Sequence, residues 1–203
     1  MALTIENNAK KQLLWIGMGS ILMFFAGLIS YYIARKAEGN WLDFVFPEQF
    51  DSSTLVIVIS SFVLLLTKFK FQKNRSVFFP ILSVLFLGFL FTFFQYQGWV
   101  QLINQGIYLT GEGSNASGSI TFVLTAAHLV HLLGGLIALS YVTKLASKEK
   151  FHIKNSLAFN LTSLYWHFLA SFQVATLFVL TNLMQQILAF HLLGCLHILF
   201  HIP

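Results

Sequence analysis

The chain has 203 residues, 57% of them hydrophobic and 9% charged, with a formal net charge of +5. A soluble domain carries roughly 25% charged residues, so this composition excludes a water-soluble globular protein and leaves a single membrane bundle. The one cysteine, Cys195, excludes an internal disulfide or a cysteine metal cluster. The basic balance is no argument for nucleic acid, because no soluble basic face exists to carry it.

The chain opens on a polar segment, Met1 to Gln12, that ends in Lys10 and Lys11. Leu13 to Ile33 follows without an Asp, Glu, Lys or Arg. It is too long for a signal-peptide core and lacks a small-x-small cleavage site, so it reads as a retained helix. Tyr31, Tyr32, Arg35 and Trp41 are read as its interface anchors. Ser52 to Thr67 is uncharged but short, and needs local thinning or a partner to span. Asp51, Ser52 or Ser53 can cap it, and Ser53, Ser60 and Thr67 recur every seventh residue, placing small polar groups on one face. The short basic connection Lys68 to Arg75 makes an antiparallel hairpin with the third stretch, Val77 to Gln97, where Pro80 falls near the first turn. Val100 to Gly118 is a polar loop whose Asn115-Ala-Ser117 reads as a chance glycosylation match. Ser119 to Thr143 and Leu157 to Leu183 are again free of charge.

The expected fold is all-α: a polytopic bundle over residues 1–186 with five transmembrane helices, at about 13–33, 52–67, 77–97, 119–143 and 157–183. An atypical apolar tail, 187–203, follows; it has no cation to place it on either side. With five crossings, Lys10, Lys11, Lys68, Lys70, Lys73, Arg75, Lys144, Lys148, Lys150 and Lys154 share one side, and only Arg35 and Lys36 lie on the other. The positive-inside rule then makes the N-terminus cytoplasmic. No internal repeat is visible, which weighs against an inverted-repeat transporter.

No ionised side chain lies within any of the five stretches. Ion-coupled carriers keep such a group at depth to bind or relay charge, so that class loses ground. Histidines remain. His128 and His131 stand at i, i+3 on the fourth helix, near Gly134 and Gly135, and His167 lies on the fifth. Neutral imidazoles on facing helices can ligate haem iron or copper. That gives one alternative, a small haem-binding quinol oxidoreductase using His128 or His131 with His167. The other is that these rings bond helices together or meet lipid headgroups. His191, His197 and His201 surround Cys195 in the tail, but no carboxylate completes a metal site. Gln95 and Trp99, at i, i+4, read either as a polar contact to a partner or lipid, or as an interfacial tryptophan with a snorkelling amide. Phe24, Phe25 and the run Phe86 to Phe94 read as lipid-facing or packing rings rather than a cofactor cage.

Five collinear patterns are similar to a known family. Met23-Phe24-Phe25-Ala26-Gly27-Leu28, with Ser30-Tyr31, Arg35 and Trp41, resembles the first helix of the short, five-helix bacterial form of cytochrome c oxidase subunit III. Ser52-Ser53-Thr54 with Ser60-Ser61 resembles its second helix, and Gln95-Tyr96 with Trp99 the end of its third. Phe122-x-Leu124-Thr125-x-x-His128-x-x-His131-x-x-Gly134 resembles its most specific signature, and Tyr165-Trp166-His167-Phe168 its last helix. The resemblance implies a non-catalytic accessory subunit of a respiratory haem-copper oxidase in a bacterial inner membrane. Such a subunit binds no cofactor of its own, the haem and copper being in partner catalytic subunits. It packs beside catalytic subunit I within the respiratory complex or a larger supercomplex, holds phospholipid and supports proton uptake. On that reading Arg35, Ser60, Ser61, Gln95, Trp99, Thr125, His128, His131, Trp166 and His167 are the residues for lipid or subunit contact. There are departures. Ile21 stands where the family often has a glutamate, Ala170 to Gln173 breaks from the usual acid and aromatic run, and the tail has no counterpart.

Overall fold

The computed structural model describes residues 2–38, 44–72, 77–111, 114–147 and 156–200, with side chains placed for 5–38, 44–69, 77–111, 114–147 and 157–181. All of its regular structure is helical: α1 (Ala2–Ala37), α2 (Glu48–Gln72), α3 (Phe78–Asn104), α4 (Ala116–Ser147) and α5 (Ser156–Phe200). Among the described residues, five helices are long and apolar enough to cross a membrane. The number of crossings therefore agrees with the sequence, while the ends differ.

The second helix is the clearest correction. It is not a short span over 52–67 but a full one, Glu48–Phe69, of 22 residues. Its charged ends belong to the helix because a span's termini sit at the interface, where Glu48 and Lys68 remain wet. The helix starts after Pro47, so Ser53 lies inside it and donates to the Phe50 carbonyl at 2.8 Å instead of capping. The first helix likewise reaches back to Ala2, with Lys10 paired to Glu6 at 2.7 Å on its exposed surface. Tyr32 is buried, so of the two tyrosines only Tyr31 faces outward as an anchor would; Trp41 lies outside the described residues. The backbone of the tail is helical to Phe200 and continuous with α5, and its side chains lie outside the described residues.

α2 to α5 form a ring: α2 packs on α3, α3 on α4, α4 on α5 and α5 on α2. Each helix buries residues at alternating three- and four-residue steps. On α3 these are Ile81, Val84, Gly88, Phe91, Gln95, Gly98 and Leu102. On α2 the same steps bury Ser53, Ile57, Ser60, Leu64 and Thr67, and on α4 they bury Thr121, Thr125, His128, Leu132, Gly135, Leu139 and Val142. A strict 3.5-residue repeat keeps one seam turned to a neighbour through a slow left-handed crossing, the commonest packing of membrane helices. α1 stands outside the ring and touches α4 and α5. It buries Met18, Phe25 and Tyr32, one residue in seven.

The α3–α4 loop has its own local logic. Gly106, at φ +78°, ends α3 in the left-handed conformation, and Ile107 N–H returns to the Leu102 carbonyl at 3.0 Å. Ile107 is thereby turned inward against Gly118, where a Cβ would sit 2.4 Å from its Cγ2. Asn115, the residue of the sequon, accepts the Ser117 N–H at 3.2 Å through its Oδ1 and so caps α4.

Candidate functional site in the polar seams between helices

Trp166 is the point where the ring closes. It is fully buried on α5, and its Nε1–H donates to Ser60 Oγ of α2 at 3.0 Å. One edge of the indole lies over Gly88 of α3, where an added Cβ would be 2.9 Å from Cη2. The opposite edge lies over Gly135 of α4, where a Cβ would meet Cε3 at 3.2 Å. A large ring can occupy a four-helix centre only if the facing helices offer small residues, and Ser60, Gly88 and Gly135 are those residues. Ser60 and Gly135 were legible as small positions in the sequence; their meeting on one tryptophan was not.

Two polar contacts stand nearer the end of the bundle that carries the α3–α4 loop. Gln95 Nε2 donates to Ser53 Oγ at 3.0 Å between α3 and α2. Gln173 Nε2, on α5, donates to Thr54 Oγ1 of α2 at 3.2 Å. Gln95 and Gln173 are both buried, so Gln95 is not a snorkelling amide. Trp99 Nε1 donates to Thr125 Oγ1 of α4 at 3.0 Å, which makes it an interhelical bond rather than a free interfacial anchor. Thr54 and Gln173 stood in the sequence only within family patterns and not as a pair, although Gln173 continues the seven-residue repeat of Phe159 and Trp166 along the buried face of α5.

The histidines separate. His128 is buried among Phe25, Phe91 and Phe172, with ring centroids at 6.4, 5.9 and 6.4 Å. Neither of its nitrogens has a partner among the described residues. His131, one turn on, is part-exposed; its Nδ1 lies 2.6 Å from the Ala127 carbonyl, and its own carbonyl accepts from Tyr165 at 3.1 Å. His167 pairs through Nδ1 with Ser61 on the outer side of the α2–α5 seam. A haem held by His128 and His167 does not fit this arrangement. Three phenylalanine rings occupy the space around one imidazole, and the other is tied to a serine of a different helix pair. Among the described residues, no three His, Cys, Asp or Glu side chains converge on a point that could hold a metal ion. Arg35, at the last turn of α1, pairs with Glu38 in solvent.

The rings assigned to lipid or packing divide. Phe24, Phe86, Phe89 and Phe93 are exposed, and Phe25 and Phe91 are core. Ser60, Gln95, Thr125 and Trp166 are buried within the bundle and bond to the chain itself, whereas His128 is buried with neither nitrogen partnered among the described residues. Arg35, Ser61, Trp99, His131 and His167 keep part of their surface outside. The arrangement holds helices together in a medium that offers no competing hydrogen bonds, and among the described residues no set of groups converges for acid–base or nucleophilic work.

No family model matches the chain. Among curated proteins it is 33% identical, over 167 residues, to the probable cytochrome c oxidase subunit 3 of Nocardia farcinica, covering 75% of this chain and 77% of that one. It is 30% identical over 161 residues to the probable cytochrome c oxidase subunit 3 of Mycobacterium leprae, with the same coverage. It is also 31% identical over 179 residues to the cytochrome bo(3) ubiquinol oxidase subunit 3 of Buchnera aphidicola subsp. Baizongia pistaciae, covering 80% of this chain and 87% of that one. At this identity and coverage, the chain belongs to the cytochrome c oxidase subunit 3 family.

Proposed function

We propose that this chain is the accessory, non-catalytic subunit of a haem-copper terminal oxidase, seated beside catalytic subunit I in a bacterial inner membrane with its N-terminus in the cytoplasm. Family membership carries this reading. The helical seams support it, because polar groups on facing helices are used to join one helix to the next. The chain's contribution is then mechanical: a preformed apolar scaffold against which the catalytic subunit and its lipids pack.

Phospholipid has a suitable seat. A groove of about 360 Å³ runs between α1 and α5, walled by Leu13, Leu14, Gly17, Met18, Ile21 and Leu161, with Lys10 at one end. Apolar walls suit an acyl chain, and the Lys10 ammonium at the groove's end, which pairs with Glu6, has further N–H donors for a phosphate. Ile21 lines this groove in place of a carboxylate, so nothing ionised opposes the chain there. The loop lysines Lys148, Lys150 and Lys154, with His152 among them, would attract anionic headgroups and at most modulate the local proton concentration; they lie outside the described residues.

Purification of the tagged chain in mild detergent tests the reading. A haem-bearing subunit that co-elutes in equal amount is the expected result; a chain that elutes alone contradicts it. Native mass spectrometry of the complex tests the lipid seat. Gly17→Leu, which fills the groove, should remove at least one bound phospholipid, and unchanged lipid occupancy would count against the seat.

A further inference from the structure

One layer inside the ring is polar on all four helices, and three of its groups are unmatched. Ser53 and Thr54, neighbours on α2, accept from the amides of Gln95 and Gln173 and so set α3 and α5 level there. Phe91, one turn before Gln95, touches His128 of α4, and Trp99, one turn after Gln95, bonds to Thr125 three residues before His128. Gln95 is thereby bracketed at the Thr125–His128 turn. On α5, Phe172 stacks on His128, and Thr176 is the next buried position after Gln173. Gln95, His128 and Thr176 are 1%, 1% and 3% exposed.

The donors and acceptors can be counted without choosing a tautomer. Ser53 and Thr54 spend their own protons on the Phe50 carbonyl, so each can only accept from its glutamine. The Gln95 amide nitrogen must therefore face Ser53, and its Oε1 is turned elsewhere, with no donor among the described residues. Neutral imidazole carries one N–H and one bare nitrogen whichever way it is protonated, and both His128 nitrogens lack a partner there. The Thr176 hydroxyl, which can donate and accept, lacks one too. Polar groups left unmet away from water are costly. Water has two protons and two lone pairs: it can accept the His128 N–H, donate to Gln95 Oε1 and pair with the Thr176 hydroxyl. An ion does not suit, because no Asp, Glu, Lys or Arg is buried among the described residues to balance its charge.

We propose that a single water is bound in this layer, held by Gln95, His128 and Thr176 and joining α3, α4 and α5 at one point. The site is deep: at 1.5 Å per residue, His128 lies about 6 Å from the middle of α4. Toward the α2–α3 connection it is closed by Ile57, Phe91, Leu132 and Leu169, all fully buried. Toward the α3–α4 loop it is closed by the buried cluster of Phe50, Leu102 and Ile107. The water is therefore trapped between apolar layers and is no link in a file of waters through the bundle.

A density map of the chain in its membrane complex, at about 2 Å, tests the site. The expected peak lies within about 3.2 Å of a His128 nitrogen and of Gln95 Oε1 or Thr176 Oγ1. His128→Leu should abolish it, and His128→Gln, which can still donate and accept, should keep it. Leucine fills the ring's space and leaves no nitrogen to be met, so the density rather than the stability is the readout. Wild-type chain with nitrogen-labelled side chains gives a second measurement that needs no variant. Magnetisation transfer from water to the His128 N–H should exceed that to the Trp166 Nε1–H, buried in a dry layer, by about tenfold. A direct bond from His128 to Gln95 or Thr176, no peak in a map that shows other buried waters, a peak unchanged by His128→Leu, or equal transfer to the two N–H groups would each overturn the proposal.

Discussion

The ring α2–α5 and the lone helix α1 are both apolar, but they are held in different ways. Each ring helix buries a residue every three or four positions, and polar bonds join α2 to α3, α3 to α4 and α2 to α5. Gly88, Gly98 and Gly118 in the ring each have a neighbour within 3 Å of where a Cβ would sit. Along α1 one position in seven is buried, and Gly17, Gly19 and Gly27 have nothing within 4 Å. A glycine in a close-packed seam is required by its neighbour, whereas a glycine in open space only costs helix stability. Hydrophobicity places a helix in the membrane, but complementary shape fixes it to a partner. α1 therefore has surface to spare for lipid, and the ring has little on its inner side.

The contrast can be broken most sharply at Trp166. Trp166→Ala empties the centre of the ring and should cost about 3–5 kcal/mol, read as a lower denaturing detergent fraction at half-unfolding. Gly88→Val comes next. Its Cβ would stand 2.6 Å from Leu136 and 2.9 Å from Trp166, an overpacking that should cost about 1–3 kcal/mol in the same assay. Gln95→Leu removes the bond to Ser53 while keeping the volume, and a loss of about 0.6 kcal/mol is expected. His128→Leu should be neutral or slightly stabilising, because it replaces an imidazole whose nitrogens have no partner among the described residues. Gly27→Ala on α1 should cause no loss and stabilise by about 0.4–1 kcal/mol, because nothing stands where its Cβ would go. A loss at Gly27 as large as that at Gly88 would erase the distinction between the two regions.

Charge-free length was enough to read five crossings, because no soluble fold tolerates it. The seven-residue spacing of Ser53, Ser60 and Thr67 was enough to place them on one face, and all three are buried. Helix ends were harder. Glu48 and Lys68 look like loop residues by charge, yet a membrane helix ends in water and carries such residues in its last turns. Gln95 was ambiguous because spacing cannot say whether a polar face meets solvent or another helix; Ser53, 42 residues away, decides it. Trp166 resembled a family motif, but its role depends on glycines from two other helices, and no one-dimensional signal links them. His128 and His131 share a face by spacing and yet differ in burial, because Phe25 of α1, Phe91 of α3 and Phe172 of α5 surround the first.

The visible absorption of the purified oxidase, before and after this chain is stripped from it, bears most directly on its role. An accessory scaffold predicts that every haem band stays with the remaining subunits and that the separated chain is colourless. A haem band that travels with the chain would contradict the account.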